Sequence, residues 1–256
     1  LSSTTTGAVH SIVGNTIRNI NLITTTGTVV GISAGYAPTT NINSNTINNL
    51  TRTGSNTFYG IQYTGTTSTS VTLDGNTITN FNFNNITSTS AFYGIYSGSS
   101  PATETWTNNT ISNLTSSSTA AQTICGIYNF TANGTKTITG NTINGLSLAS
   151  TSTGTIYGIR KAYGGATDNV SGNTIYAFSG GTNIYAINIA SGTTNNVYNN
   201  KIYDLSSSVA TPTVYGLYIT NGTTNNIYNN IIGSFTTSAA NTAIAQAGIY
   251  ISSGTT

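Results

Sequence analysis

The chain has 256 residues, and only 4% of them are charged: six Lys and Arg against four Asp and Glu give a formal net charge of +2. So small an imbalance provides no basic surface for nucleic acid, whose binding depends on many cationic side chains at the phosphates. The single cysteine cannot form a disulfide within the chain, and the apolar runs are too short to cross a membrane. We therefore expect no nucleic-acid partner and no membrane insertion.

One phrase, usually Asn-Thr-Ile after a small residue or Asn, recurs eight times along the chain. Successive anchor asparagines are separated by 30, 31, 33, 32, 32, 27 and 30 residues. Self-similarity at such a period predicts stacked units that each touch their neighbours, so we interpret residues 1–256 as one continuous repeat array. The anchors are Asn15, Asn45, Asn76, Asn109, Asn141, Asn173, Asn200 and Asn230.

Three further positions are apolar in all eight copies: three before, two after and five after the anchor. In the fourth copy they are Trp106, Ile111 and Leu114. A second motif, usually Tyr-Gly-Ile as in Tyr93–Ile95, lies about midway between anchors. Short β-branched and aromatic runs bounded by Gly, Asn and Ser are typical of strands, and no segment sustains a helical period. The pattern predicts an all-β fold, a single parallel β-solenoid of about eight coils with roughly three short strands and about 30 residues per coil.

The anchor asparagines are expected at tight corners between strands. Asn tolerates the left-handed backbone region, and stacked asparagines can bond to those above and below. With these anchors and apolar columns, the chain resembles the right-handed parallel β-helix repeats of secreted bacterial proteins, the superfamily that includes pectate lyases, whose coils carry a comparable asparagine ladder. The resemblance covers essentially the whole chain and implies architecture rather than chemistry. Together with a composition rich in Ser, Thr, Asn, Gly and Tyr, it implies an extracellular or cell-surface location.

The sequence contains no segment that we recognise as a cap for either end of the array. Its last residues, 252–256, match the segments that lead to an anchor in earlier copies. Two interpretations remain open: a slice of a longer array, or copies that stack head to tail into a filament. The partner expected from the second interpretation is another copy of the chain, bound end to end by strand addition.

Three charged residues occupy the position five before the anchor on consecutive copies: Glu104, Lys136 and Asp168. We favour an alternating ion-pair ladder, worth about 0–1 kcal/mol per exposed pair. The alternative is a catalytic centre for glycan cleavage, with two carboxylates about two coil spacings apart, near the separation of inverting enzymes. No neighbouring Arg, His or second carboxylate cluster supports catalysis. The only basic pair, Arg160 and Lys161, is interpreted as a solvated patch.

The remaining reactive side chains predict neither a metal site nor a cofactor. Asp74 and Asp204 stand alone, and the Gly-Gly-x-Gly-x-Asp repeat of calcium-loaded β-rolls is missing from the sequence. The only histidine, His10, is interpreted as a solvated or edge residue. Cys125 falls in a column otherwise filled mostly by Tyr, which favours a packing role.

Tyrosines are the better candidates for a surface that binds glycans or a protein partner. One set precedes the midway Gly or Ala by one position, and a second set lies two positions after it. Strict alternation would place the two sets on opposite faces of the strand, whereas a bulge at the Gly would change the phase. The first set is Tyr59, Tyr93, Tyr157, Tyr185 and Tyr215, and the second, which we select as the candidate face, is Tyr96, Tyr128, Tyr218 and Tyr250.

The sequence therefore leads to two hypotheses of function. The first is a non-enzymatic, extracellular structural β-solenoid, either a self-assembling filament subunit or a stalk segment of a large bacterial surface protein, with adhesion as a consequence. The second is a carbohydrate-binding or glycan-cleaving β-helix protein that uses the Glu104, Lys136 and Asp168 column or a tyrosine face.

Overall fold

A computed structural model describes residues 7–23, 27–54, 57–65, 68–84, 90–132, 134–238 and 244–253. Within these ranges every helix or strand assigned is a β-strand, and the strands form three parallel sheets. Along the same ranges, no helix is long and apolar enough to cross a membrane. The all-β class and the parallel β-solenoid are confirmed.

The first sheet contains the strands that precede the anchors. In stacking order they are β1 (Val9–Val13), β4 (Thr39–Asn43), β7 (Ser70–Asp74), β10 (Thr103–Thr107), β13 (Thr135–Thr139), β17 (Thr167–Ser171), β20 (Thr194–Tyr198) and β23 (Thr224–Tyr228).

The second sheet contains the strands that follow the anchors. Its strands are β2 (Thr16–Leu22), β5 (Thr46–Thr53), β8 (Thr77–Asn84), β11 (Thr110–Ser116), β14 (Thr142–Asn144), β15 (Ser147–Leu148), β18 (Thr174–Ser179), β21 (Lys201–Ser207), β24 (Ile231–Ile232) and β25 (Phe235–Thr237). Two coil levels are split, because β14 and β15 both pair with β11, and β24 and β25 both pair with β21.

The third sheet carries the midway motif. Its strands are β3 (Val29–Ala34), β6 (Phe58–Tyr63), β9 (Ala91–Ser97), β12 (Thr123–Asn129), β16 (Thr155–Lys161), β19 (Asn183–Ile189), β22 (Thr213–Ile219) and β26 (Gln246–Ile251). Each coil thus contributes one strand level to each sheet, and the predicted three strands per coil are confirmed.

Strand register aligns like residues from coil to coil and builds the interior from ladders. Trp106 lies opposite Leu73 on one side and Ile138 on the other, and all three side chains are buried. The predicted apolar columns form one continuous core along the solenoid. Stacking of equivalent coils therefore provides the burial that a single short coil could not provide alone.

At the corner between the first and second sheets, the residue in the left-handed conformation is the one before the anchor. We had expected the anchor itself to adopt that conformation, and this expectation is wrong. The residues with positive φ there are Gly14, Ser44, Gly75, Asn108, Gly140, Gly172, Asn199 and Asn229. The chain turns at this residue, and the side chains of the anchors in the six inner coils are buried. The anchor therefore serves through its side chain, not through an unusual backbone conformation.

A second left-handed column lies four residues after each anchor, within the second sheet. Its members are Asn19, Asn49, Asn80, Asn113, Gly145, Ala177, Asp204 and Ser234. The apolar positions two and five after the anchor are three residues apart, so plain alternation would place them on opposite faces. The irregular residue between them changes the phase like a bulge, and both positions face the core.

Candidate functional site: buried polar ladders and an outer aromatic face

The anchor asparagines form a continuous hydrogen-bonded ladder through all eight coils. In each of the seven steps, Oδ1 of one anchor accepts from the backbone N and from Nδ2 of the anchor on the preceding coil, at 2.9–3.1 Å. Nδ2 also donates to a main-chain carbonyl of the preceding coil, as from Asn141 to the carbonyl of Trp106 at 2.9 Å. The predicted asparagine ladder is confirmed, and it satisfies amide groups that would otherwise be unpaired inside the solenoid.

The charged column lies inside the solenoid, so the expectation of exposed ion pairs is wrong. Lys136 is in register with Glu104 on one neighbouring strand and with Asp168 on the other. These three side chains are at most 2% exposed. The reason is alternation: a position five before the anchor shares its face with the apolar position three before it. Nζ of Lys136 lies 2.8 Å from Oε2 of Glu104, an ion pair whose angles are not those of a hydrogen bond.

Lys161 belongs to the same cluster, which corrects its interpretation as a solvated residue. It is fully buried, and its Nζ lies 2.5 Å from Oδ2 of Asp168 and 2.5 Å from the carbonyl oxygen of Tyr163. The sequence contained a signal for this position. Lys161 lies two residues after the motif residue Ile159, so alternation predicts the same inward face, and the equivalent Asn129 and Ser97 are also buried.

The two acids of the cluster, Glu104 and Asp168, differ in the hydrogen bonds that their carboxyl oxygens accept. Glu104 accepts hydrogen bonds from Ser97 at 2.5 Å, Asn129 at 2.6 Å and Thr131 at 3.0 Å. Asp168 accepts at Oδ2 from Lys161, from the backbone N of Gly165 at 3.2 Å and, with the Asn195 amide oriented so that its nitrogen faces the acid, from Nδ2 of Asn195 at 3.3 Å, whereas its Oδ1 receives none from any described residue.

Burial therefore raises the pKa of Asp168, against the opposing effect of the nearby Lys161 charge. Burial likewise lowers the pKa of Lys161 against the opposing charge of Asp168. Two ions removed from water are costly unless their partners compensate fully. The cost of burial is thus less well compensated in the Lys161–Asp168 pair than in the Glu104–Lys136 pair.

The position of Glu104 and Asp168 also bears on the glycan-cleavage hypothesis. Both carboxylates point into the packed interior and are 2% and 0% exposed. A general acid must reach its substrate within hydrogen-bond distance. A polysaccharide on the outer surface cannot approach these groups in this conformation, so a glycan site, if the chain has one, needs another location.

Both tyrosine sets lie on the outer face of the third sheet, and strict alternation fails at the midway Gly. The ladder pairing skips this Gly, while the residue two before it and the residue after it, as in Phe92 and Ile95, are both buried. Tyr93 lies between these two buried residues and Tyr96 follows them. Both side chains point outward, with ring centroids 5.4 Å apart. The Gly therefore acts as the bulge that the sequence left open.

These outward rings form one surface that we call the tyrosine stripe. Neighbouring centroids are 4.8–5.7 Å apart over most of its length. Between Tyr128 and Tyr157 the contact is made by Arg160, whose guanidinium lies 5.1 and 4.7 Å from the two ring centroids. The stripe consists of Tyr59, Tyr93, Tyr96, Tyr128, Tyr157, Tyr185, Tyr215, Tyr218 and Tyr250.

The rings protect one another as well as facing solvent. Tyr128 is 7% exposed, and burial raises its pKa to about 12, with Arg160 opposing the shift. Cys125, which takes the place of a tyrosine in the first set, is fully covered, and burial raises its pKa to about 12. The stripe is therefore a closely packed, mostly apolar surface that carries phenol groups.

The other singled-out side chains lie apart from this surface. His10 is 8% exposed on the first coil, in register with Thr40. Asp74 accepts hydrogen bonds from Thr107 at 2.6 Å and Asn108 at 3.0 Å, and Asp204 belongs to the second left-handed column, within β21.

Comparisons of the chain with protein-family models, with curated proteins and with solved structures give no match.

Proposed function

We propose that this chain forms part of a non-enzymatic structural rod outside the cell, as a filament subunit or as a stalk segment of a bacterial surface protein. The observation that carries the proposal is the uninterrupted anchor ladder, in which each coil provides the donors and acceptors that the next coil needs. Because each coil contacts only its neighbours, further coils can be added to such an array without altering those already present. We also propose, on the resemblance of its anchors, that the solenoid is right-handed and related to the pectate-lyase-like superfamily.

The edge of the last described coil supports extension by stacking. Ile249 and Ile251 of β26 are 49% and 52% exposed, whereas the paired Leu217 and Ile219 on β22 are almost fully buried. Another coil on this edge, from the same protein or from a second copy, would cover these side chains and pair with β26.

Electron microscopy and sedimentation velocity over a range of concentrations test end-to-end assembly. We expect rods that lengthen with concentration, and we expect Ile251→Lys, which places a charge on the edge, to abolish lengthening. Thr135→Lys is the matched control, because it adds the same charge at an exposed position in the middle of the solenoid. Discrete particles of one length at every concentration would reject the filament and leave the stalk.

A second candidate function is carbohydrate binding by the tyrosine stripe. The observation that favours it is that both tyrosine sets face outward on one sheet, since phenol rings can stack on sugar rings while their hydroxyls bond to sugar hydroxyls. The competing explanation is that the rings only stabilise the sheet by cross-strand contact.

Binding to a panel of polysaccharides separates these explanations. We expect retention by at least one polysaccharide and at least tenfold weaker retention for Tyr96→Ala combined with Tyr218→Ala. Tyr176→Ala is the control, because Tyr176 stacks with Tyr203 at 4.9 Å on the second sheet, away from the stripe. Equal retention of both variants would show that the stripe does not hold the glycan.

A further inference from the structure

The interior holds five of the ten Lys, Arg, Asp and Glu residues of this chain. Four of them form the two ion pairs described above, Glu104 with Lys136 and Lys161 with Asp168, and the fifth is Arg52. A solenoid built from apolar and amide ladders has no need of these four charges in its core, because the transfer of each ion out of water is unfavourable. The geometry of the Lys161–Asp168 pair indicates a reaction that would remove two of these charges.

Lys161 is the last residue of β16, and Asp168 is the second residue of β17, so the pair spans the corner between the third and first sheets. The contact of 2.5 Å between Nζ and Oδ2 is shorter than the usual range for a charged N–H···O bond. It brings the nitrogen to within about 3–3.5 Å of the carboxyl carbon, the range of a near-attack geometry. The two side chains are at most 1% exposed, so water does not compete for either group.

The surroundings favour the neutral forms of both groups. Burial raises the pKa of Asp168 and lowers that of Lys161, which makes a neutral acid beside a neutral amine more accessible. An uncharged amine has the lone pair that a nucleophile requires, and an uncharged carboxylic acid is a better acyl acceptor than a carboxylate. These are the reactants of amide formation.

We propose that Lys161 and Asp168 condense to an intramolecular isopeptide bond between Nζ and Cγ. A proton first passes from Nζ to Oδ2, and the nitrogen lone pair then attacks Cγ to form the C–N bond. A second proton moves from nitrogen to the departing hydroxyl, the C–O bond breaks and one water leaves. Atoms and electrons balance without an oxidant or a reductant.

Lys136 assists this step through its charge. It lies opposite Asp168 in the strand register, on the adjacent coil. Its charge contributes to the lowered pKa of Lys161, which favours the neutral amine, although it also opposes the rise in the pKa of Asp168. Negative charge develops on a carboxyl oxygen in the tetrahedral intermediate, and a fixed cation nearby stabilises it. Lys136 therefore contributes through its charge and is not itself a reactant.

The Glu104–Lys136 pair is not expected to condense. Three side-chain hydrogen bonds occupy both carboxyl oxygens of Glu104, and its contact with Nζ of Lys136, at 2.8 Å, is longer than that of the other pair. The structure thus predicts one cross-link, not two. The product carries no charge and closes the corner of residues 161–168 covalently.

Intact mass spectrometry of the folded protein tests the proposal. We expect a mass one water below that of the sequence, and a tryptic peptide covering residues 161–201 with the same deficit, since trypsin cannot cleave after a modified lysine. A succinimide at Asp74–Gly75 would also lose one water, but it lies in a different tryptic peptide.

Variants make the test specific to the two side chains. Lys161→Arg and Asp168→Ala should show their full sequence mass. Asp168→Asn should lose one ammonia and reach the same final mass as the natural chain. Lys201→Arg, at an exposed lysine over the Tyr203 ring, should keep the deficit of one water.

An unmodified mass for the natural chain would overturn the proposal, provided that circular dichroism shows the β-fold. So would cleavage by trypsin after Lys161 in that chain. Because the mass of the natural chain decides the question, a variant that fails to fold does not affect the outcome. Neither result depends on end-to-end assembly or glycan binding.

Discussion

Replacement of a single anchor asparagine should destabilise the coils around it far more than replacement of an asparagine on the outer face. In Asn141→Ala, Oδ1 no longer accepts from the backbone N and Nδ2 of Asn109, at 2.9 Å each. The Nδ2 bonds to the Trp106 carbonyl at 2.9 Å and to Oδ1 of Asn173 at 3.0 Å are also lost. At about 1 kcal/mol for each buried hydrogen bond, the four together contribute about 3–5 kcal/mol to the free energy of unfolding.

Trp106 makes this loss measurable at the site itself. It is the only tryptophan, it is fully buried, and it lies one coil below the substituted residue. Urea denaturation followed by its fluorescence reports local unfolding, and circular dichroism in the same samples reports the whole solenoid. Because unfolding of a repeat array can be partial, the two signals need not coincide.

Asn196→Ala is the matched control on the outer face of the first sheet. This substitution removes two side-chain hydrogen bonds: Nδ2 of Asn196 donates to Asn169, and its Oδ1 accepts from Asn226, both at 2.9 Å. Water can replace these bonds, so we expect a loss below about 1 kcal/mol. Equal losses for Asn141→Ala and Asn196→Ala would refute the argument that the buried ladder holds the coils together.

Three further predictions concern packing and titration. In Gly154→Ala the new Cβ would lie 2.2 Å from the carbonyl oxygen of Gln122, and we expect a loss of about 1–3 kcal/mol in urea denaturation, against no measurable change for Gly233→Ala, where no atom lies within 4 Å. The buried Cys125 thiol, with its pKa raised to about 12, should react with a disulfide reagent at neutral pH only after unfolding, and rapid modification of the folded protein would contradict its burial. Burial raises the pKa of Tyr128 from 10.0 to about 12, so the folded state binds this proton more tightly than the unfolded state. Its stabilising contribution should be complete below about pH 10 and decline between about pH 10 and about pH 12. Denaturation midpoints measured across that window should fall more steeply in the natural chain than in Tyr128→Phe, which keeps the other buried tyrosines with raised pKa, such as Tyr93 and Tyr185.

The repeat period, the apolar columns and the anchor ladder could all be predicted from the sequence, because equivalent residues recur at equivalent places. The position of the charges could not be predicted as reliably. The column of Glu104, Lys136 and Asp168 was found by its spacing, but its charge suggested solvent, whereas its phase relative to Trp106 pointed inward. Lys161 was missed because only the apolar members of its column were considered, although the spacing from Ile159 indicated the same face.

The phase of each strand depends on residues that ordinary propensity does not identify. Apolar columns three residues apart on the same face require an irregular residue between them, and that requirement can be read from spacing alone. The residue type there is less informative: the column four after the anchor contains Asn113 and Gly145, which favour positive φ, but also Ala177 and Asp204. An alanine in the left-handed region costs roughly 1–2 kcal/mol, so neighbouring coils must impose the bend that its own preference opposes. Coil geometry in this solenoid is therefore set by stacking, and the same stacking places two lysines and two acids together in the core.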